Sequence, residues 1–334
     1  MTRGSTDTFL EAPVDAVWTA LVAPGRRDWY FRLTPEGAFA EGEAIQWRDV
    51  RGDAAEESEI VEVDAPRRLV MHSRFTFAPA YAKQPPHSLI WDVAPEGSGS
   101  RVRLSWDASD PVAGFLASEA QYVLQSLRLA YDPVAQAEVA RLPAIGDVEI
   151  HEVTPERVAD YQAFFDRDAF RDFPGWQACY CMEQFLDVTE DEAASRTAAD
   201  NRRDMSDKIK QRQVTALLAY ADGKPVGWCN YGATSTFAAL MHRYKLKAED
   251  HEGVGSVACF VIAAPYRGHG IATRLLDAAL DRLRGRGVKV VEAYPAKDVD
   301  SAQSNFRGPL AIYLRAGFEP YRETDRYLVV RKEL

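Results

Sequence analysis

The chain has 334 residues, which is longer than one hydrophobic core usually supports, so its length predicts two domains. Hydrophobic residues make up 46% of it and charged residues 27%, and no apolar run approaches the length of a membrane span. These values exclude a disordered chain and predict no transmembrane segment. The polar stretch from Met1 to Asp7 leads into no apolar segment, so we expect no secretory signal and a cytoplasmic location.

The formal net charge of −10 argues against a nucleic-acid partner. The first 145 residues contain 14 basic and 21 acidic side chains, and the remaining residues contain 26 and 29. Neither part has the basic excess that is typical of proteins that bind phosphate backbones.

The N-terminal part begins with a predicted strand and a short amphipathic helix. Apolar side chains follow Pro13 at helical spacing, at Val14, Val17, Trp18 and Leu21. Alternation then predicts a strand with one face made of Leu69, Met71, Phe75 and Phe77. An antiparallel hairpin is predicted around the turn at 95–99, and helical spacing from Phe115 to Ala130 predicts a long closing helix.

This order of elements resembles the helix-grip fold of the START-like (SRPBCC) superfamily over about residues 3 to 132. The phrase Ala12-Pro13-Val14-Asp15-Ala16-Val17-Trp18 is most similar to the heat-shock-ATPase-activator branch of that superfamily. The resemblance implies a curved antiparallel sheet around the last helix, with space for an apolar ligand between them. Aromatic residues at strand spacing would line such a cavity or simply fill a core, and these are Trp47, Phe75, Phe77, Trp91 and Trp106.

A domain boundary is predicted near residues 140 to 147, where prolines end the first pattern and a new strand begins at Val148. We therefore predict one domain over 1–140 and a second over 146–334, in a chain of α+β class. Thr154 and Pro155 begin a helix of the second domain, as N-cap and first helical residue. Further elements are predicted as strands at 215–220, 226–230, 256–262 and 288–293, a helix at 271–284, and a helix ending before Gly317.

The glycine loop Arg267-Gly268-His269-Gly270-Ile271-Ala272 carries the strongest chemical signal. An apolar strand feeds an amphipathic helix through this loop, so the first amide groups of the helix are unpaired and point outward. The helix dipole favours negative charge there, and the glycines leave room for a phosphate group. Arg267 adds a fixed positive charge. The alternatives are a diphosphate site and a purely structural turn.

Two classes of cofactor suit such a loop. A dinucleotide site normally has a third glycine where this chain has Thr273, although Glu292 lies at the distance of a ribose-binding acid. The pattern Arg-x-x-Gly-x-Ala, after a strand and before a helix, resembles the cofactor motif of the GNAT N-acetyltransferase superfamily. About 45 residues later, Tyr313-Leu314-Arg315-Ala316-Gly317-Phe318 resembles the Tyr-x-x-x-Gly-Phe of the same family. By these ordered motifs, residues 148–334 resemble a GNAT domain with its mixed α/β fold.

The GNAT resemblance implies acetyl-CoA as the acyl donor and no metal. Backbone groups of Phe260, Val261 and Ile262 would bind the pantetheine arm of the cofactor. The diphosphate would bind the loop formed by Arg267, Gly268, His269, Gly270, Ile271, Ala272 and Thr273. Tyr313 is the expected general acid, because a phenol can protonate the departing thiolate, and its alternative role is that of a packed aromatic residue. Asn305 matches a cofactor-contacting asparagine, although its spacing to Tyr313 is one residue longer than the family pattern.

The group that accepts the proton of the attacking amine is less well defined by the sequence. Glu183, Glu252 and Glu292 are the candidates, and the favoured alternative for each is a solvated or structural carboxylate. Glu292 is preferred, because in the GNAT fold its strand flanks the acceptor site.

The four cysteines, at 179, 181, 229 and 259, are too few and too clustered for a disulfide framework. The pair Cys179 and Cys181 could bind a metal or carry an acyl group. Buried reduced thiols are the favoured interpretation, since no histidine lies at ligand spacing.

The sequence therefore predicts an acetyl-CoA-dependent N-acetyltransferase that works by direct attack of an amine, with an N-terminal module that binds a ligand or a partner. The alternative is a sensor or chaperone-like adaptor that binds CoA without turnover. A small-molecule amine is the expected acceptor, but its identity is open, because acceptor pockets form from variable loops such as 172–214 and 232–254. The candidates are aminoglycoside-like antibiotics, polyamines, amino-acid derivatives and the amines of proteins.

Overall fold

The computed structural model describes residues 1–240, 252–297 and 305–334. The chain folds into two compact units. The first comprises Met1–Val139, Asp172–Ala178 and Ala194–Ala199, and the second comprises Ala140–Arg171, Cys179–Ala193 and Asp200–Leu334. The first unit thus includes two short segments from far beyond residue 140. The division into domains at 1–140 and 146–334 stays a prediction.

The first unit is built on one antiparallel sheet. Its strands are β1 (Thr2–Leu10), β2 (Thr34–Glu36), β3 (Ala44–Arg48), β4 (Ala54–Asp64), β5 (Arg68–Phe75), β6 (His87–Glu96) and β7 (Gly99–Ala108). Their order in the sheet is β1-β7-β6-β5-β4-β3-β2. The accompanying helices are α1 (Val14–Val22), α2 (Pro79–Ala82), α3 (Val112–Tyr131) and α4 (Pro133–Val139).

Helix α3 covers this sheet, packing against β1 and β7. Its buried face repeats at helical spacing through Leu116, Ala120, Val123 and Leu127. These residues join the inward-facing side chains of the strands in one hydrophobic core. A long helix that follows the last strand and packs on an antiparallel sheet is the arrangement that the helix-grip resemblance implied.

The aromatic residues expected between sheet and helix divide into two groups. Trp47, Phe75, Trp91 and Trp106 are all buried in this core. The prediction that Phe77 shares a strand face with Leu69, Met71 and Phe75 is wrong, because β5 ends at Phe75 and the Phe77 side chain is 39% exposed.

The second unit contains a mixed sheet. Its strands are β8 (Val148–Glu152), β9 (Ala216–Ala221), β10 (Lys224–Ala233), β11 (Val254–Ile262), β12 (Val290–Ala293), β13 (Glu319–Glu323) and β14 (Leu328–Glu333). Their order is β13-β14-β12-β11-β10-β9-β8, and the β11–β12 pair is parallel. The helices that begin in or belong to this half are α5 (Val158–Arg167), α6 (Glu190–Ala194), α7 (Ala198–Lys210), α8 (Ile271–Gly285) and α9 (Leu310–Arg315). Together the two sheets and their helices confirm the predicted α+β class.

Strand β11 positions the candidate site, because it extends beyond the end of its pairing with the parallel strand β12. The β11–β12 pairing runs only from Val254 to Val257, whereas β11 continues to Ile262. On its other edge, Cys259 pairs with Asn230 and Val257 pairs with Tyr231, so that Ala258 is an extra residue that forms a bulge. The last residues of β11 therefore have an edge that β12 does not cover.

Helix α8 follows β11 and buries an apolar stripe made of Leu275, Leu276, Ala279, Leu280 and Leu283. This stripe packs on the sheet and fixes the direction of the helix axis. Across the described ranges, we find no helix with the length and apolar character that a membrane crossing requires.

Candidate functional site

A cleft of about 430 Å³ lies where β11 ends and α8 begins. Its walls are the loop residues Tyr266, Arg267, Gly268, Gly270, Ile271, Ala272 and Thr273, the strand residues Phe260, Val261 and Ile262, and Ala169, Phe170, Asn305, Phe306, Gly308, Pro309, Ile312 and Arg315. The structure thus brings together every residue predicted to bind the cofactor except His269.

The N-terminus of α8 opens into this cleft. Gly270 is the N-cap residue with φ of +78°, a left-handed conformation that favours glycine. The Arg274 N–H donates to the Gly270 carbonyl at 3.1 Å, so the amides that precede Arg274 lie outside the helical hydrogen-bond ladder. A Cβ atom placed on Gly270 would have no neighbour within 4 Å. The loop therefore offers accessible amide donors and a helix dipole to an anion.

Contacts from a preceding segment hold the loop in place. The Arg141 guanidinium donates to the Gly268 carbonyl at 3.1 Å, and the His269 ring nitrogen Nε2 lies 3.0 Å from the Leu142 carbonyl. His269 therefore supports the loop from outside the cleft. The sequence did not predict this role for Arg141, because the pattern around it is that of a boundary between domains.

Arg267 turns back onto the strand that precedes the loop. Its Nε donates to the Ile262 carbonyl at 2.9 Å, and the residue is also part of the cleft wall. Together with the exposed Arg315, it places positive charge at the cleft. The arrangement suits a ligand that carries phosphate groups.

Tyr313 lies beneath the cleft wall and is fully buried. Its hydroxyl donates to the Arg307 carbonyl at 2.5 Å, and burial raises the pKa of the phenol well above its usual value near 10. The centroids of the Phe260 and Tyr313 rings are 6.5 Å apart. The structure thus places Tyr313 near the end of β11 without bringing its hydroxyl to the cleft.

The segment just before α9 makes contacts with the end of β11 that no sequence pattern predicted. Phe260 N–H donates to the Phe306 carbonyl at 2.6 Å. Arg307 is fully buried, and its Nη1 donates to the Ala258 carbonyl at 3.2 Å and to Gln184 Oε1 at 3.3 Å. In the sequence, Gly308 and Pro309 indicated only an interrupted helix start, and no local pattern identifies the distant acceptors of Arg307.

Glu292 is fully buried and is not part of the cleft wall. Its Oε1 accepts hydrogen bonds from Arg331 Nε at 3.1 Å and Nη2 at 2.8 Å. The Tyr294 hydroxyl lies 3.4 Å from Glu292 Oε2 and 2.6 Å from the Ser256 hydroxyl, which in turn lies 2.8 Å from the Thr234 hydroxyl. Glu292 therefore begins a buried chain of hydroxyl groups.

The other two carboxylate candidates also lie outside the cleft wall. Glu183 is half-buried and Glu252 is exposed. Residues 241–251 of the predicted acceptor loop 232–254 lie outside the described residues.

Three of the four cysteines are buried, and Cys179 is half-buried. The Cys181 and Cys259 sulfur atoms lie 3.4 Å apart, and burial raises the pKa of the Cys181 and Cys229 thiols well above the usual range. In the three described ranges, no group of three or more histidine, cysteine, aspartate or glutamate side chains could hold a metal ion.

Comparison with known proteins finds a match to one family model within each half of the chain. Residues 182–310 match the sequence model of the acetyltransferase (GNAT) family, and residues 11–125 match that of activator of Hsp90 ATPase homolog 1-like proteins. N-alpha-acetyltransferase 30 of Schizosaccharomyces pombe is 34% identical over 84 residues, which cover 24% of this chain and 51% of that protein. The chain thus matches about half the length of this curated relative.

The chain is also similar to solved structures. The Aha1 dimer from Colwellia psychrerythraea is 13% identical, with 40% of this chain and 97% of that chain covered at a TM-score of 0.33. A GNAT-family acetyltransferase from Streptococcus pneumoniae is 17% identical, with 56% and 100% covered at a TM-score of 0.34. At such TM-scores neither likeness decides fold or activity.

Proposed function

Because the chain joins a GNAT acetyltransferase domain to an AHSA1-like domain, we propose that it is an N-acetyltransferase that uses acetyl-CoA. The observation that carries this proposal is the open N-terminus of α8 at Gly270, set in a cleft beside the end of β11 that lies beyond its pairing with β12. A diphosphate and an extended acyl arm need these two features side by side.

Different residues of the cleft bind different parts of the cofactor. The amides from Gly268 to Thr273 hold the diphosphate, with the positive charge of Arg267 beside them. The backbone of Phe260 to Ile262 binds the pantetheine arm along the strand edge that β12 leaves uncovered. This places the thioester toward the Ala258 bulge.

The reaction is direct attack of a neutral amine on the thioester carbon. The carbon–nitrogen bond forms, the carbon–sulfur bond breaks, and the CoA thiolate leaves. Tyr313 is the proposed acid for this thiolate, which requires its hydroxyl to leave the Arg307 carbonyl. Glu292 is the proposed final acceptor of the amine proton, reached through the hydroxyls of Tyr294 and Ser256.

A small-molecule amine is the proposed acceptor. The name of the fission-yeast relative adds the α-amino group of a polypeptide as a second class of amine to test. The AHSA1-like domain is proposed to bind a ligand or a partner protein, and thereby to contribute to the choice of acceptor.

One observation favours a second function, that of a CoA-binding sensor or adaptor without turnover. The hydroxyl of Tyr313 is buried and engaged with the Arg307 carbonyl, away from the cleft. A protein held in this state would bind the nucleotide end of CoA and would lack an acid for the thiolate.

The decisive experiment measures CoA release and product mass with acetyl-CoA and a panel of amines and peptides. We expect transfer to at least one amine, and CoA binding without any acyl transfer would support the sensor instead. The variant Gly270→Glu should abolish CoA binding, because it places a carboxylate at the anion site. Gly287→Glu is its matched control, since Gly287 has φ of +79° and equally open surroundings at the other end of α8.

A further inference from the structure

The segment from Asn305 to Gly308 occupies two hydrogen-bond donors of the candidate site. Phe260 N–H donates to the Phe306 carbonyl at 2.6 Å, and the Tyr313 hydroxyl donates to the Arg307 carbonyl at 2.5 Å. The proposed function assigns the first donor to the pantetheine arm and the second to the departing thiolate. Successive carbonyls of one segment therefore take both donors that the acyl donor requires.

Arg307 anchors this segment to the strand that it covers. Its side chain is fully buried, and Nη1 donates to the carbonyl of Ala258, two residues before Phe260 on β11. The same atom donates to Gln184, and the guanidinium lies 4.9 Å from the ring centroids of Phe306 and Tyr327. A side chain and a backbone carbonyl thus tie the segment to one strand edge.

Gly308 shows how closely the segment approaches the donor residues. Its φ is +85°, and a Cβ atom on it would lie 2.8 Å from the Tyr313 hydroxyl and 3.2 Å from the Phe260 ring. An acyl arm has no room to pass between this backbone and the two side chains. Because one N–H group serves one strong acceptor, the arm and the segment cannot both bind Phe260.

We propose that residues Asn305 to Gly308 form an internal plug, whose carbonyls stand in for those of the acyl-pantetheine arm, and that acetyl-CoA must displace this plug to bind productively. The inference rests on the proposed function, because it takes the end of β11 as the binding edge for the arm. The glycine loop accepts the nucleotide end whether the plug is in or out. The apparent affinity for a ligand that carries the arm is its intrinsic affinity multiplied by the fraction of molecules in which the plug is displaced. The affinity for a ligand without the arm does not depend on this fraction.

Two ligands separate the arm from the nucleotide end: acetyl-CoA, and 3′-phosphoadenosine 5′-diphosphate, which lacks the arm. Their affinities are measured by titration calorimetry for the wild type and for Arg307→Met. This substitution removes the guanidinium that anchors the segment and puts an unbranched apolar side chain in its place. We expect Arg307→Met to bind acetyl-CoA about three- to tenfold more tightly, the equivalent of one or two hydrogen bonds. Its affinity for the arm-less nucleotide should not change.

Gln184→Leu is a second variant that weakens the anchor without altering residues 305–308, and the same selective gain is expected. An unchanged affinity for acetyl-CoA, or an equal change for both ligands, would overturn the plug. If neither ligand binds the wild type, the proposed function fails as well.

A measurement on the wild type avoids any variant that fails to fold. The Gly308 N–H donates to the Asn305 carbonyl at 2.9 Å, a turn that must open when the plug leaves. We expect hydrogen–deuterium exchange at this amide to become faster with acetyl-CoA and to stay unchanged with the arm-less nucleotide. Equal or slower exchange with bound acetyl-CoA would show that the segment stays in place, and would refute the plug while leaving cofactor binding intact.

Discussion

Glu292 and Arg331 face each other across the neighbouring strands β12 and β14 and form an ion pair. The carboxylate is fully buried, whereas the arginine side chain is 21% exposed. The guanidinium donates twice to one carboxylate oxygen and lies 3.8 Å from the ring centroid of Tyr321. A charge buried to this degree requires its partner, so the pair has a structural role whatever part it plays in the reaction.

The first prediction separates these two roles of Glu292. Glu292→Gln removes the partner of Arg331 and should lower the free energy of unfolding by about 3 kcal/mol, as for other broken buried pairs. The double variant Glu292→Gln with Arg331→Met should regain most of this loss in a denaturant titration. If Glu292 accepts the amine proton, the rate of acetyl transfer stays low in the double variant, whereas a recovered rate would leave it a purely structural residue.

The second prediction concerns the acid. Tyr313→Phe should lower kcat by about 100-fold or more without raising KM for acetyl-CoA, because the lost hydroxyl acts on the leaving thiolate and also holds the plug through the Arg307 carbonyl. Tyr321→Phe keeps an exposed ring and should change neither constant. Because burial raises the pKa of Tyr313, deprotonation of this phenol should cause no loss of rate up to about pH 10. An unchanged kcat together with a lower melting temperature would identify Tyr313 as a packing residue.

The third prediction is a pH dependence of stability in the first unit. Glu119 is buried within α3, and desolvation raises its pKa from 4.5 to about 7, although the Ser118 hydroxyl donates to it at 2.9 Å. Because the folded-state pKa exceeds the unfolded value, the contribution of the protonated group is complete below about pH 4.5 and is lost as the pH rises through 7. The loss is on the order of 3 kcal/mol for this shift.

Glu119→Gln should therefore be more stable than the wild type at pH 8 and similar to it at pH 4.5, as measured by thermal unfolding across this range. Glu57→Gln, on an exposed position of β4, is the control and should follow the wild type. Identical pH profiles for Glu119→Gln and the wild type would contradict the assigned cause.

The fourth prediction concerns the thiols. Cys179 is half-buried, whereas Cys181, Cys229 and Cys259 are buried, and burial raises the pKa of the first two of these. An aromatic disulfide reagent should therefore modify one thiol in the native protein and all four after unfolding. Cys179→Ser should abolish the native reaction, and modification of two or more thiols in the native protein would show that this region opens.

The elements that the sequence predicts well are those with a strong local period. Helix α8 occupies Ile271–Gly285 where the pattern predicted 271–284, because five apolar residues on one face specify both the helix and its buried side. Strands β9 and β10 occupy Ala216–Ala221 and Lys224–Ala233, where strands were predicted at 215–220 and 226–230 on either side of a turn. Phe77 shows the limit of alternation, since the pattern continues past the point where the strand ends.

The candidate site is only partly predictable for a related reason. The glycine loop is a local motif, and the structure brings all of its residues except His269 to the cleft. The hydrogen bond from Phe260 to Phe306 and the ion pair of Glu292 with Arg331 join residues that are 46 and 39 positions apart, and no local pattern records such partners. Only the packed structure shows which groups are already engaged.

The first unit is assembled from three separate segments of the chain, and this has a consequence for its folding during synthesis. Tyr81 donates to the Ser195 carbonyl at 3.2 Å, and the Ser118 hydroxyl accepts from the Ala198 amide at 3.2 Å, so the segment Ala194–Ala199 completes that unit. A nascent chain of which only residues 1–140 have left the ribosome lacks Ser195 and Ala198. The unit closes only after the ribosome has also delivered the first third of the second half, which ties its completion during synthesis to the domain that follows it.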